Sequence, residues 1–149
     1  PEGTREVIQA EGSDPDGGLH GSEHAFIAMM PLSVLCDRWD IGGVSLPVHP
    51  ETARPVVFVY DGYEGGIGLS EKAYSLFEEI AAHALQLVQE CPCETGCPAC
   101  IFSPKCGNDN QPLDKRATVT ILKSLCITNE SGHLDGAIPF LPASRVSDD

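Results

Sequence analysis

Five of the seven cysteines fall inside sixteen positions: Cys91, Cys93, Cys97, Cys100 and Cys106, spaced C-x-C-x3-C-x2-C-x5-C. Thiolates are soft, polarisable donors. Four held tetrahedrally suit Zn(II), which needs neither redox chemistry nor an open ligand position to act as a clamp. The Cys97-Pro98-Ala99-Cys100 turn can chelate one ion from both ends. Cys106-Gly107 has the form of a knuckle end, where glycine lets backbone N–H groups point at sulfur and spread its charge. Five candidates for four places leave one over. Cys97 and Cys100 are central, Cys93 and Cys106 flank them at loop-closing distance, and Cys91 falls on the last turn of the preceding helix. The set Cys93, Cys97, Cys100 and Cys106 is slightly preferred, with Cys91 as the replacement for Cys106. The competing uses of such thiols are a disulfide pair, a reactive thiol, or a rubredoxin-like iron redox site.

A second set of chemically capable residues is His20-Gly21-Ser22-Glu23-His24, which matches the H-x-x-E-H pattern of one zinc peptidase class. That chemistry needs both histidines on one helix face, a further carboxylate ligand, and the glutamate as base. Gly21 and Ser22, read as a helix N-cap, place His20 outside the helix. The expectation is therefore one zinc per chain and none at His20 or His24, with His24 a buried, hydrogen-bonded residue. The glycine turn Asp61–Gly68 has the layout of a phosphate loop, but no Lys follows its last glycine and the glycine spacing fits no nucleotide motif. It reads as a turn for close strand–helix packing. No Ser–His–Asp set or paired carboxylates can be placed.

The elements that must position these residues follow in order. Residues 1–19 read as a strand remnant at Val7-Ile8 and a loop, followed by a helix from Ser22 that is apolar on every face over Ala25–Met30 and kinked or restarted at Pro31. Val44–Leu46 reads as a short strand, and the continuously apolar Val56–Tyr60 as a strand covered on both faces. The strongest helix runs from about Ser70 to Glu90, its stripe formed by Leu69, Ala73, Leu76, Phe77, Ile80, Ala84, Leu87 and Val88. Pro92 stops it and delivers the chain into the cysteines. A last helix from about Asp114 shows Ala117, Ile121, Leu122 and Leu125 on one face; from Ile127 the pattern is lost. The expected fold class is α/β, or α+β: a small zinc-stabilised domain with two or three strands, three to four helices and a four-cysteine metal loop. The domain spans 20–126, with 127–149 as a tail.

At 149 residues the chain is one domain, large enough for a modest core that a metal would reinforce. No apolar run approaches the roughly 18 residues of a membrane helix. The N-terminus lacks Met and a signal peptide's apolar stretch, which suggests an excised fragment. An odd cysteine count without a secretion signal favours a reducing compartment, read as the cytoplasm. A net charge of −13 argues against a protein whose main work is gripping nucleic acid. Residues 101–125 are locally basic, however, with Lys105, Lys115, Arg116 and Lys123 against Asp109 and Asp114. These four are the candidates for weak DNA contact.

Taken together, His24-Ala25, Pro31-Leu32, Cys36–Gly43, Tyr60-Asp61-Gly62, Gly65–Gly68, the cysteine cluster with Cys106-Gly107-Asn108 and Asn110, and Leu113-Asp114-Lys115 resemble the MZB (MrfA zinc-binding) family over about residues 20–125. That domain lies at the C-terminus of MrfA-type superfamily 2 helicases, ATP-driven 3′→5′ DNA translocases linked to DNA repair. The resemblance implies a structural zinc drawn from Cys91, Cys93, Cys97, Cys100 and Cys106, and helicase motor domains on the same chain or a partner subunit. ATP and Mg2+ would belong to those motors. The chain itself carries no Walker A and no DEAH-like box, so no catalysis is expected of it alone.

Overall fold

Asp14 starts the longest helix among the described residues. It sits in extended backbone and its carboxylate accepts from the Asp16 N–H at 3.0 Å, while Pro15 takes the first helical position, where a missing N–H is tolerated. The resulting helix α2 is Pro15–Val34 in a structure, a computed structural model, that describes residues 3–126. The expected tail from Ile127 lies outside the described residues. Ser22 is therefore not an N-cap. It is buried mid-helix and donates its hydroxyl to the Gly18 carbonyl at 2.8 Å. Pro31 does not divide the helix either, because it falls in the last turn, where one lost hydrogen bond matters little. The chain leaves α2 at Leu35, which turns left-handed at φ 54°.

The expected strand remnant is instead helix α1, Thr4–Ala10. Its only buried residue is Ile8, while Val7 is 50% exposed, so one apolar side chain anchors a short amphipathic turn and no strand partner exists for it among the described residues. After a 3₁₀ turn at Arg38–Asp40 come β1, Ile41–Leu46, and β2, Val56–Asp61, paired antiparallel from Ile41 opposite Asp61 to Leu46 opposite Val56. The expectation that Val56–Tyr60 is covered on both faces is corrected here. Ile41 and Val59 pack on the core, whereas Phe58 and Tyr60 point outward and are 41% and 52% exposed. Among the described residues, the helices cover one side of this two-stranded sheet and leave the other uncovered.

The expected single helix over 70–90 is two: α3, Leu69–Ser75, and α4, Phe77–Glu90, broken at Leu76. The break lets α3 follow β2 while α4 lies against α2 and the last helix, α5, Lys115–Cys126. Asp114 ties the assembly at its base. One carboxylate oxygen caps α5 through the Ala117 N–H at 2.9 Å, and the other accepts from the Asp14 N–H, at the start of α2, at 2.8 Å. Above this clamp α2 and α5 meet at Gly18 and Gly21. A Cβ on Gly18 would lie 2.5 Å from that of Ala117, and one on Gly21 would collide with the Thr118 hydroxyl. Only glycine permits this approach.

The core has two centres. Phe26, Met30, Ile41, Ala73, Ile80 and Ala81 join α2, the hairpin, α3 and α4. Ala25, Ala84, Val88, Cys100, Ile101 and Leu122 join α2, α4, α5 and the cysteine loop, with Met29 touching both. The fold is thus the expected mixture of helices and a small sheet around a cysteine loop, with five α-helices and two strands among the described residues.

Candidate metal centre

Cys91 caps the C-terminus of α4 in extended backbone, as a residue preceding proline must. In an extended segment residues two apart share a face, so Cys91 and Cys93 present their thiols to the same side. The Cys97–Cys100 turn, closed by Cys100 N–H to Cys97 O at 3.0 Å, brings two more sulfurs to meet them. The Sγ separations are 3.6 Å for Cys91–Cys93, 3.5 Å for Cys91–Cys97, 3.5 Å for Cys93–Cys100 and 3.9 Å for Cys97–Cys100. A tetrahedral zinc with Zn–S of about 2.3 Å sets neighbouring sulfurs roughly 3.8 Å apart. The four thiols therefore fit the ion with little movement. The slight sequence preference for Cys106 over Cys91 gives way to this geometry: Cys91, Cys93, Cys97 and Cys100 form the group, and Cys106 lies elsewhere.

The electrostatics suit a cation. Burial pushes the Cys93 thiol up, but hydrogen bonds from Cys100, Cys91, Cys97 and the Gly96 N–H outweigh it and bring its pKa to about 7. Burial pushes Cys100 up to about 12. Lys115, half-buried at the start of α5, donates to the Cys91 carbonyl at 2.7 Å, to the Cys93 carbonyl, and to Cys93 Sγ at 3.4 Å. It supplies a positive charge beside a cluster whose four thiolates would leave bound zinc with net negative charge. No local pattern announces this role; Lys115 merely follows a helix cap.

Lys105 is held as well. Its ammonium donates to the Arg38 carbonyl at 2.7 Å and to the Ile41 carbonyl, and lies 5.2 Å from the centroid of the Trp39 ring. Of the four basic candidates for DNA contact, Arg116 and Lys123 are exposed, and the structure turns Lys105 and Lys115 inward onto backbone carbonyls.

His20, Glu23 and His24 all lie within α2 and are 7%, 6% and 7% exposed, so His20 is not outside the helix as expected. Among the described residues the peptidase arrangement is nevertheless not formed. The third group beside the histidines is the Cys106 thiol, not a carboxylate, and Glu23 hydrogen-bonds Ser45. Burial holds the Glu23 carboxyl above its ordinary range despite that bond. His24 is buried and hydrogen-bonded, as expected, to the Ile101 carbonyl at 2.7 Å. In the glycine turn, the anion position at the start of α3 is filled by the chain's own Asp61, whose carboxylate accepts from the N–H groups of Ile67 (2.6 Å), Leu69 (3.0 Å) and Ser70 (2.7 Å).

Against known proteins, the sequence model of the family described as MrfA Zn-binding domain matches residues 22–101. An uncharacterised protein of Methanocaldococcus jannaschii is 38% identical over 110 residues, which cover 72% of this chain and 98% of that protein. The uncharacterised ATP-dependent helicase YprA of Bacillus subtilis is 41% identical over 83 residues, 56% of this chain and 11% of the helicase. Among solved structures, the DUF1998 helicase MrfA bound to DNA superposes with a TM-score of 0.61 at 34% identity, over 73% of this chain and 14% of that one. The chain thus spans nearly all of the archaeal protein and a small fraction of each helicase.

Proposed function

Because this chain belongs to the MrfA Zn-binding domain family, we propose that it is the zinc-stabilised accessory domain of an ATP-dependent DNA helicase of DNA-repair type. Cys91, Cys93, Cys97 and Cys100 hold one zinc ion, and the near-tetrahedral spacing of their sulfurs is the observation that carries the reading. Bound there, zinc supplies a structural cross-link and no reaction step. The protein's own contribution is to present four thiols from one loop, offset part of their negative charge with Lys115, and lock the loop to α4 and α5 through Ile101 and Leu122. The domain holds the C-terminal region of the motor in shape, and Arg116 and Lys123 give it a weak contact with DNA.

A motor on the same chain is supported by the similar segments in YprA and MrfA, which are only 11% and 14% of those longer proteins. A motor on a partner subunit is supported by the archaeal relative, which has almost no length beyond the matched segment. Thiolate ligands and seven free cysteines suit a reducing compartment, the cytoplasm. No helix among the described residues is long and apolar enough to cross a membrane.

The test is DNA-stimulated ATP hydrolysis by the motor-containing protein or complex that carries this domain. Activity should be present in wild type and lost in Cys97→Ser along with zinc. A zinc-loaded carrier that hydrolyses no ATP in the presence of DNA would overturn the helicase assignment.

A further inference from the structure

We propose that His20, His24 and Cys106 form a second metal site, taking a zinc-class divalent ion through two imidazole nitrogens and one thiolate. One ligand atom from each of the three residues lies within 4.8 Å of the others. The site shares no ligand with the four-cysteine group and does not rest on the helicase reading.

The donor atoms are already prepared. His20 Nδ1 lies 2.8 Å from the Pro112 carbonyl, and His24 Nδ1 lies 2.7 Å from the Ile101 carbonyl. A carbonyl oxygen only accepts, so each neutral ring carries its proton on Nδ1 and keeps the lone pair on Nε2. This is the arrangement by which a metal-binding histidine is oriented: one ring nitrogen donates to a carbonyl and the other faces the ion. His20 Nε2 stands 3.4 Å from Cys106 Sγ. A tetrahedral zinc with Zn–S of about 2.3 Å and Zn–N of about 2.0–2.1 Å separates S and N by roughly 3.5 Å. The sulfur also accepts from the Asn110 N–H at 3.3 Å, which fixes its place beside His20.

Burial and the fold point the same way. Two imidazoles one turn apart on α2, their ring centroids 4.3 Å apart and each less than a tenth exposed, bring both rings to one buried spot. The residues around Cys106 are held for it. Asn110, in left-handed backbone at φ 57°, accepts from the Ser103 N–H at 2.7 Å and donates to the Ser103 carbonyl at 3.1 Å, closing the loop that carries the thiol. The ion would cross-link α2 to the loop between the four-cysteine group and α5. Three protein donors are one short of a closed structural site, so this ion would bind less tightly than the four-thiolate ion and keep one exchangeable ligand. The expectation of no metal at His20 and His24 rested on His20 lying outside the helix, and the helix includes it.

The rival is a plain hydrogen bond in which the Cys106 thiol donates to His20 Nε2. Metal content and Co2+ titration of the full chain separate the two. Wild type, purified in the presence of zinc and desalted, should carry two ions per chain, and Cys106→Ser and His20→Asn one each. Chelator-stripped wild type should take two equivalents of Co2+. The first should show the strong charge-transfer absorption of four thiolates. The second should add a weaker thiolate band that Cys106→Ser lacks while retaining the first. A wild type that saturates at one equivalent overturns the proposal, whatever the variants do. So does a Cys106→Ser variant that still takes two with an unchanged spectrum, because the second ion would then lie elsewhere.

Discussion

Lys115 and Asp61 show single charges acting through backbone groups. Lys115 is the cation nearest Cys93 Sγ among the described residues, so replacing it by Met should weaken the hold on zinc without removing a ligand. Zinc release to a colorimetric chelator should be several-fold faster in Lys115→Met and restored in part by Lys115→Arg; equal release rates would show the ammonium to serve only the carbonyls. At Asp61, burial pulls the carboxyl upward, but the hydrogen bonds from Ser70, Ile67 and Leu69 outweigh it and hold the pKa at about 2, below its ordinary 3.8. A depressed carboxylate contributes stability above its unfolded pKa and loses it as pH falls through the folded value. Asp61→Asn should therefore lower the urea midpoint at neutral pH, and the gap from wild type should close between about pH 4 and pH 2. A gap that stays constant across that range would rule the carboxylate's charge out.

At the scale of elements, the α2–α5 crossing sets where everything else can lie. Two glycines let the helices touch, and Asp114 fixes both starts. Gly18→Ala places a methyl 2.5 Å from the Ala117 Cβ, with backbone of Ala117 close behind, so the helices must separate. Overpacking of this kind costs about 1–3 kcal/mol. Gly107→Ala, whose added methyl meets nothing within 4 Å, is the control and should be near neutral. Denaturant melts of the two variants make the comparison, and equal midpoints would refute the close-packing account.

For the whole molecule the question is what zinc holds together. The four-cysteine loop lies between α4 and α5, and its buried members Cys100 and Ile101 belong to the same core centre as Ala84, Val88 and Leu122. Removing the ion frees the loop and withdraws those side chains from the core, so local chemistry becomes a global loss. Structural zinc contributes on the order of 10 kcal/mol in small peptide systems. Cys97→Ser or Cys100→Ser should unfold the 70–125 region and collapse its hydrogen-exchange protection, and chelator should lower the wild-type melting temperature. A chelated protein that melts cooperatively at the unchanged temperature would make the metal a passenger.

The sequence by itself determined the metal class, the family, and the helices around the cysteine loop, because each is written in short-range spacing. C-x-C and C-x2-C decide which sulfurs can reach one ion, and three- and four-residue apolar repeats decide α4 and α5. It misread element starts where a single residue decides them: Asp14 rather than Ser22 begins α2, and Val7-Ile8 belongs to a helix. Only the tertiary structure decided which cysteine joins the other three, that Lys105 and Lys115 face inward, and that Cys106 meets His20. The last pair is 86 residues apart in the chain, and the carbonyl orienting His20 is 92 away. Contacts at that separation depend on how α2 and α5 cross, and that crossing follows from the absence of two side chains, Gly18 and Gly21, which leaves no periodic signal to read.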